Sequence, residues 1–390
     1  MFRVERLLLL FSLAIAIVYF GEITYMTFIP LFLRSRGIPL AEIGIFITAF
    51  YLTTALVSIP AGFISDRLGR NVMIISLIAL SPIVFSYTLA ETKTQLLLLR
   101  ALHGAAFAFI FPVARAYVMD KTTEENRGQT MGTYVLFMQL AGMMAPVLGG
   151  LILDQTQTFD VLFYIAAVLP LVTVIFFVTV VKDVGRGQFT LEKMRVPTKD
   201  LLRIRVFVVL ILMFVMLFFA NGILTPILPI FAVEGLGMSR TLLGLMFTCM
   251  GLICAVGQFV GGTLSDQFGR KAILVYPLFI YAVAVFVAGL SVDSSMFFAS
   301  YMAIGVGVAA YATVAYSYTG DVVPPEQRGT ASGVVASLSC MGMVFGPLLG
   351  SALGGIVGMR IPYFVCSLMV FLTILMLLVM LPNDKREAVK

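Results

Sequence analysis

Long runs of apolar residues, separated by short polar or glycine-containing segments, follow one another along the whole chain. A run of about 20 apolar residues can cross the hydrocarbon core of a bilayer as a helix. The pattern predicts twelve such helices, six before a polar stretch at 182–205 and six after it. They are predicted at 7–33, 43–64, 72–89, 96–119, 130–153, 161–181, 206–233, 242–264, 272–292, 296–319, 330–357 and 361–381. A membrane β-barrel is excluded because its strands alternate polar and apolar residues over about ten positions.

Composition supports the same fold class, an all-α membrane protein. The chain is 60% hydrophobic and 12% charged, with a mean hydropathy of +1.04. A soluble domain carries about 25% charged residues, so this chain has too few charges to cover a water-exposed surface. The side that carries both termini holds 19 of the 26 Lys and Arg residues, and the opposite side holds five. The positive-inside rule therefore predicts cytoplasmic termini, and it explains the net charge of +6 without a nucleic-acid partner.

The two hydrophobic halves repeat one another at an offset of 199 to 201 residues. The segment GFISDRLGRN at 62–71 returns as GTLSDQFGRK at 262–271. Further anchors keep the same order, namely Glu22 with Asn221, Asp120 with Asp321, 125–128 with 326–329, and 146–149 with 347–350. Such a repeat is typical of a transporter with two pseudo-symmetric six-helix bundles and a binding site between them at the membrane midplane. The predicted domains are bundle 1–181, cytoplasmic linker 182–205 and bundle 206–390.

On these residues the chain resembles the major facilitator superfamily over essentially its whole length. The loop after the second span matches the family signature G-x-x-x-D-R-x-G-R-[RK] except at Asn71. The second copy has Gln267 in place of Arg and keeps Lys271. The resemblance implies a secondary active transporter that works by alternating access. No catalytic residues, metal site or ATP-binding loop is predicted, so the chain is not expected to be an enzyme, and the proton gradient would supply the energy without a cofactor.

The repeated charged loop is predicted to form a conformational latch. A carboxylate can accept hydrogen bonds from the free amides at a helix N-terminus, and Arg offers a two-pronged partner to a second carboxylate. In the family, this network resembles a latch that holds the outward-open state closed on the cytoplasmic side. The predicted latch residues are Gly62, Asp66, Arg67, Gly69, Arg70, Asp120, Asp266, Gly269, Arg270 and Asp321. The alternative is a plain cytoplasmic loop whose charges only set the topology.

Four ionisable residues are predicted inside spans: Glu22, Arg100, His103 and Arg115. A central charge costs about 2.5–3.5 kcal/mol on insertion scales, so such residues usually face a cavity or a partner. Counted from the cytoplasmic ends of their spans at about 1.5 Å per residue, Glu22 lies about 24 Å deep, His103 about 25 Å and Arg100 about 30 Å. Glu22 can therefore meet His103 or Arg100 if the first and fourth spans face each other.

The fourth span resembles the motif L-x-x-x-R-x-x-Q-G-x-G of proton-coupled exporters, with His103 in place of Gln and Ala106 in place of the last Gly. The resemblance implies a proton-coupling role for Glu22, Arg100 and His103, since the Arg of that motif is associated with proton transfer. His103 is the only histidine of the chain and belongs to the residue type that titrates near neutral pH. A static ion pair that fixes helix packing is the alternative.

The fifth span resembles the exporter motif G-x₈-G-x₃-G-P-x-x-G-G, with alanine at two of its glycine positions. Span eleven matches the motif better, because it keeps glycine at both. Small residues allow close helix approach, and the motif is linked with export. The predicted packing residues are Pro146, Gly149, Gly150, Gly346 and Pro347.

The predicted substrate cavity is rich in soft apolar side chains, with few polar groups among them. Such surfaces accept varied ligands. The predicted lining residues are Tyr25, Met26, Phe107, Phe111, Arg115, Gln139, Asn221 and Gln258. Arg115 is read either as a side chain that reaches the cytoplasm or the latch, or as an anion-binding residue.

Together these features predict proton-coupled export of lipophilic or amphipathic small molecules, similar to twelve-helix drug:H⁺ antiporters. The expected partners are the substrate, protons and membrane lipid, and the chain is expected to act as a monomer in the plasma (inner) membrane. A permease or uniporter for a polar metabolite or organic anion, a lipid flippase and a non-transporting sensor are the alternatives left open.

Overall fold

The computed structural model describes residues 2–68, 70–122, 127–179, 201–324 and 327–382, and within them it is built of helices without strands. The helices are α1 (Phe2–Met26), α2 (Ile29–Ser35), α3 (Leu40–Leu68), α4 (Arg70–Phe85), α5 (Lys93–Asp120), α6 (Arg127–Thr156), α7 (Asp160–Thr179), α8 (Arg205–Leu224), α9 (Arg240–Phe268), α10 (Arg270–Leu290), α11 (Ser294–Val322), α12 (Arg328–Ile356) and α13 (Ile361–Met380). A short helix at Leu228–Ile230 and a π-helical turn at Phe231–Gly235 follow α8.

Eleven helices in the described part of the chain are long and apolar enough to cross a membrane, and a shorter apolar helix covers Asn71–Phe85. Large apolar side chains point outward along them, for example Leu56 at 67% exposure and Phe259 at 81%. Lipid solvates such side chains, whereas a soluble monomer rarely exposes contiguous apolar surface on this scale. The predicted class, an all-α protein that crosses the membrane many times, is confirmed.

Two predicted spans are interrupted near the side opposite the termini. The predicted helix 7–33 ends at Met26 and resumes as α2, which has Pro30 in its first turn. The predicted helix 206–233 ends at Leu224, before Pro226 and Pro229, and continues through the π-helical turn. Proline lacks a backbone N–H and restricts the residue before it, so both breaks have a local cause in the sequence. The predicted helix 72–89 is shorter and ends at Phe85.

Residue contacts divide the chain into two units. The first unit contains Met1–Ile38, Ile45–Thr190 and Ser239–Thr248, and the second contains Pro39–Gly44, Leu191–Met238 and Cys249–Lys390. The division at 190–191 falls inside the predicted linker, and segments 39–44 and 239–248, at the beginnings of α3 and α9, are grouped with the other unit. The predicted domain bounds stay a prediction. Most of the predicted linker 182–205 lies outside the described residues.

The helix pairs inside the first unit are repeated inside the second. In the first unit, α1 packs against α6 and α7, and α4 packs against α5 and α7. In the second unit, α8 packs against α12 and α13, and α10 packs against α11 and α13. The sequence repeat is therefore also a repeat of packing.

Two glycines at equivalent positions bring the first helix of each unit close to its partner. A Cβ atom on Gly149 of α6 would overlap the carbonyl oxygen of Thr24 in α1. A Cβ atom on Gly350 of α12 would overlap the carbonyl oxygen of Ile223 in α8. Backbones this close require residues without side chains, as is common between helices in membranes. In each unit, these contacts fix α1 or α8, the helix that carries Glu22 or Asn221.

Candidate functional site

A buried polar cluster lies inside the first unit, where α1 meets α5. The carboxylate oxygen Oε2 of Glu22 is 2.6 Å from Nε2 of His103. The hydroxyl of Tyr25 donates to the same carboxylate oxygen at 2.9 Å and lies 3.1 Å from His103 Nε2. All three side chains are at most 1% exposed. The carboxylate, the imidazole and the phenol therefore form a compact triangle shielded from the surroundings.

The second ring nitrogen of His103 faces a residue that was not predicted from sequence. The hydroxyl of Tyr87, just after α4, lies 3.4 Å from His103 Nδ1. In neutral histidine one ring nitrogen donates and the other accepts. The short contact with Glu22 favours the proton on Nε2, which leaves Nδ1 to accept from the Tyr87 hydroxyl. The hydrogen-bond partners of His103 thus select its tautomer.

Arg100 lies beside this cluster but does not pair directly with Glu22 in the described structure. Its Nε donates to the carbonyl oxygen of Phe46 at 3.2 Å, and its guanidinium lies 4.5 Å from the ring centre of Phe50. The predicted choice of His103 or Arg100 as the partner of Glu22 is thereby resolved in favour of His103.

Glycine and threonine hold α5 against α3 at the level of this cluster. A Cβ atom on Gly104 would overlap the carbonyl oxygen of Phe50. The hydroxyl of Thr54 donates to the carbonyl oxygen of Gly104 at 3.0 Å. Because Gly104 follows His103, this close approach places the imidazole against the ring of Phe50, 5.0 Å between centres. The motif residues His103 and Gly104 therefore also form the close contact between α5 and α3.

Aromatic rings enclose the cluster on the remaining side. Phe163 of α7 packs against Tyr25, Tyr87 and Phe32, with ring centres 4.8 to 5.3 Å apart. Such contacts leave little room for water, and electrostatic interactions are stronger where water is excluded. The other oxygen of Glu22, Oε1, is buried and has no hydrogen-bond partner among the described residues. One carboxylate oxygen is thus hydrogen-bonded, and the other is buried without a hydrogen-bond partner among the described residues.

The predicted cavity residues divide into buried and exposed groups. Tyr25 belongs to the polar cluster, and Phe111 is buried against Phe107 and the ring of Tyr19. Met26, Phe107 and Gln258 are half-buried, and Arg115, Gln139 and Asn221 are exposed. The repeat partners Glu22 and Asn221 therefore differ in environment as well as in charge. Their contact with substrate stays a prediction.

The second copy of the charged loop forms the contacts expected of an ion-pair network. Arg270 Nε donates to Asp321 Oδ2 at 2.9 Å, and Arg270 Nη1 lies 2.8 Å from Asp266 Oδ1. Gly269 joins α9 to α10 with a φ of +89°, a conformation that favours glycine. The predicted pairing of Arg270 with Asp321 is present. Lys271 adds hydrogen bonds to the carbonyl oxygens of Leu378 and Leu381, at the end of α13.

The first copy of this loop lies mostly outside the described residues. Gly62 is exposed, with open space around its Cα. Gly69 and the side chains of Asp66, Arg67, Arg70 and Asp120 lie outside the described residues. Their latch role stays a prediction.

The packing residues predicted in α6 and α12 lie at close helix contacts. Pro146, Gly149 and Gly150 are buried, as are Gly346 and Pro347. A Cβ atom on Gly346 would fall 2.6 Å from the carbonyl oxygen of Phe219. Close helix packing explains why small residues occupy these positions. Their link with export stays a prediction.

Asp154 makes polar contacts that were not predicted from the sequence. Near the end of α6, its carboxylate accepts the backbone N–H groups of Arg240 at 3.2 Å and Thr241 at 2.8 Å, and the hydroxyl of Thr241 at 2.6 Å. A carboxylate at a helix N-terminus satisfies free amides and interacts favourably with the helix dipole. All three residues belong to the first unit. A lone acid beside a predicted loop gave no signal of this role.

Comparison with known proteins shows that this protein belongs to the class of polytopic membrane transporters. The family model of the Major Facilitator Superfamily matches residues 11–239 and 210–390. The chain therefore belongs to the major facilitator superfamily. This membership confirms the family resemblance and excludes an enzyme, and it implies a small-molecule substrate.

Similar curated proteins include bacterial efflux proteins. The chain is 24% identical to Multidrug resistance protein 1 of Bacillus subtilis over 89% of this chain and 88% of that protein. It is 25% identical to the multi-drug resistance efflux pump PmrA homolog of Lactococcus lactis, covering 90% and 88%. It is 20% identical to the quinolone resistance protein NorA of Staphylococcus aureus, covering 87% of each chain.

Solved structures with the same fold include two other transporters. A bacterial homolog of the human lysosomal transporter Spinster, in an inward-facing and unoccupied conformation, matches with a TM-score of 0.74 and 20% identity over 96% of this chain and 95% of that one. A point mutant of the nucleoside transporter NupG matches with a TM-score of 0.75 and 13% identity over 97% and 100%. At these identities the matches establish the fold and not the substrate.

Proposed function

We propose that this protein exports lipophilic or amphipathic small molecules across the plasma membrane in exchange for protons, by alternating access. The observation that carries the proposal is the buried pair of Glu22 and His103, with the second oxygen of the carboxylate left without a described partner. The efflux proteins that the chain resembles support export as the direction of transport.

The chemistry of the pair suits a proton carrier. A carboxylate deep in a membrane protein is costly unless it is paired or protonated. Here the imidazole and the phenol of Tyr25 stabilise the charged form through one oxygen. Protonation at the open oxygen would neutralise the carboxyl group, and the contact with His103 would weaken. A change in packing around α1 and α5 would then be coupled to loading and release of the proton.

The surroundings of the pair support proton chemistry over a purely structural role. A static ion pair would need only Glu22 and His103. Here His103 also contacts the hydroxyls of Tyr25 and Tyr87. Each hydroxyl can donate or accept, so the cluster can accommodate either protonation state of the imidazole. The charged loops would serve as the cytoplasmic latch, and the termini would lie in the cytoplasm.

Proteoliposomes with an acidic interior test the proposal. Outward proton flow should drive accumulation of a lipophilic fluorescent amide, 1-pyrenebutanamide, and a protonophore should abolish it. Glu22→Gln should lose accumulation but keep exchange of internal for external amide, because exchange at equilibrium needs no net proton movement. Glu91→Gln removes an exposed carboxylate outside the spans and should behave as wild type.

Two results would overturn the proposal. One is accumulation in wild type that is insensitive to the gradient. The other is normal gradient-driven accumulation by Glu22→Gln, which would reduce the cluster to a structural role.

A further inference from the structure

An apolar groove runs along the surface of the α10–α11 hairpin, inside the second unit. Its volume of about 450 Å³ lies within the range of ligand pockets in proteins. Its lining consists of Phe279, Ile280, Val283, Ala284, Val287, Met296, Ala299, Ser300 and Ala303. Phe279 and Val283 are 52% and 40% exposed, so the groove opens toward the membrane. Ser300 carries the only side-chain hydroxyl of the lining and donates it to the carbonyl oxygen of Met296 at 2.8 Å. The groove therefore suits an apolar ligand.

The groove has a cause in the sequence, because α11 contributes short side chains to its lining. Two of them, Ala299 and Ala303, lie one helical turn apart. The sequence repeat places Leu98 and Leu102 at the corresponding positions of α5. Each leucine has three more carbon atoms than the alanine and would fill the space that the groove occupies. The groove is thus a feature in which the second unit departs from the first.

The length of the groove matches one leaflet of a bilayer. Its lining on α10 extends from Phe279 to Val287, which is about 12 Å at about 1.5 Å per residue. The hydrocarbon core is about 30 Å thick, so one leaflet contributes about half of that. A partner helix that crosses the membrane would need the whole thickness. A single acyl chain fits the groove better than a second protein helix.

A positive charge lies at the hairpin end of the groove. Nη2 of Arg360, the residue before α13, donates to the carbonyl oxygen of Ser291 at 3.0 Å. The hydroxyl of Ser291 in turn donates to the carbonyl oxygen of Val287, in the groove lining, at 3.3 Å. Arg360 is exposed, and no carboxylate among the described residues pairs with it. The carboxylate of Asp293, in the same loop, accepts two backbone N–H groups at the beginning of α11.

We propose that the groove binds one acyl chain of an anionic phospholipid, whose phosphate group is held by Arg360. The guanidinium offers a planar set of donors that fits a phosphate, and the end of a membrane-spanning hairpin is where lipid headgroups lie. The apolar lining then receives the chain below the headgroup. This lipid site lies within the second unit and does not depend on proton exchange at Glu22.

Fluorescence quenching tests the site, since the chain contains no tryptophan and one introduced indole is the only one present. Phe279→Trp places this reporter in the groove, and Leu372→Trp places it on the exposed face of α13. The full-length protein is reconstituted into phosphatidylcholine bilayers with brominated phosphatidylglycerol or brominated phosphatidylcholine, whose chains quench the indole on contact. The binding constant of phosphatidylglycerol relative to phosphatidylcholine should be about fivefold or more at Phe279→Trp. It should be near one at Leu372→Trp.

Two variants in the Phe279→Trp background separate the parts of the site. Arg360→Gln removes the charge and should bring the ratio close to one. The double variant Ala299→Leu with Ala303→Leu installs the leucines of the first unit and should do the same, because the chain can no longer enter.

Arg36→Gln is the matched control in the first unit. Its guanidinium also binds a carbonyl oxygen at a hairpin end, that of Thr88 at 3.3 Å, and lies 5.3 Å from the ring centre of Phe32. Arg360 lies 5.9 Å from the ring centre of Phe231 in the same manner. Arg36→Gln should leave the ratio at Phe279→Trp unchanged. Equal ratios at the two reporters, or a preference that survives Arg360→Gln or the leucine double variant, would overturn the site.

Discussion

The two units share a scaffold and differ in the chemistry placed on it. In the first, Phe32 packs against Phe163 beside a cluster of buried ionisable groups. In the second, Phe231 packs in the same way against Tyr363, with ring centres 5.3 Å apart. The positions that correspond to Glu22, Arg100 and His103 are occupied there by Asn221, Tyr301 and Ile304. The repeat thus preserves packing, while among the described residues the buried carboxylate, imidazole and guanidinium lie in the first unit.

This difference indicates a division of labour. Packing contacts, such as those at Gly149 and Gly350, are needed twice because each unit must hold its own helices together. A buried charge is costly wherever it occurs, so it is retained where it serves a purpose. The first unit would then carry the proton chemistry, and the second would supply a largely neutral counterpart.

The largest effect is expected from moving the carboxylate between the units. The double variant Glu22→Gln with Asn221→Asp keeps the number of acids but places the acid in the second unit. Gradient-driven accumulation should fall to the level of protein-free liposomes, because Asn221 is exposed and Ile304 takes the place of His103. Recovery of accumulation in the double variant relative to Glu22→Gln would show that the units are chemically interchangeable.

Packing should respond alike in both units. Gly149→Ala and Gly350→Ala should each destabilise the protein by about 1–3 kcal/mol, since the added methyl group meets a backbone carbonyl oxygen. Gly132→Ala and Gly333→Ala are matched controls in the same helices, with open space around them, and should be neutral or stabilising by up to about 1 kcal/mol. Thermal unfolding in detergent provides the measurement. A large effect in only one unit would contradict equivalent packing.

A smaller effect, on transport and not on stability, is expected for Tyr87→Phe. The Tyr87 hydroxyl contacts His103 Nδ1, so its loss removes one hydrogen bond from the buried cluster. One hydrogen bond contributes about 0.5–1.5 kcal/mol, and the rate of gradient-driven accumulation should therefore fall by up to about tenfold. The initial rate at a fixed gradient is measured. Phe163→Tyr, which introduces the phenol found at Tyr363, is the comparison, and an unchanged rate in Tyr87→Phe would exclude a role of this contact in transport.

The smallest effect on stability is expected in the loop of the second unit. Asp321→Asn removes an exposed partner of Arg270 and should cost about 0–1 kcal/mol, because exposed ion pairs contribute little. As a latch residue it should instead alter the transport rate. Thermal unfolding and initial rates, measured on the same sample, separate the two roles. A rate equal to wild type would contradict the latch for this loop.

The sequence predicted most of the architecture because its signals are local and strong. Apolar runs determine the spans, and prolines such as Pro226 explain where a helix is interrupted within a predicted span. Depth along two helices predicted that Glu22 could meet His103 or Arg100, and the structure shows the contact with His103. Tyr87 and Asp154 could not be predicted in the same way, since their partners are distant in the chain and a single phenol or acid near a loop has no distinctive pattern. The direct contact of Arg100 depended on side-chain direction, which depth alone does not give.

The single, fully enclosed histidine has a practical consequence for spectroscopy. A sample labelled with isotopes only at histidine would give one set of imidazole resonances, which belongs to His103 without an assignment experiment. The chemical shifts of its two ring nitrogens distinguish both neutral tautomers from the cation. Recording them with and without a bound compound would follow the movement of one proton inside a 390-residue membrane protein.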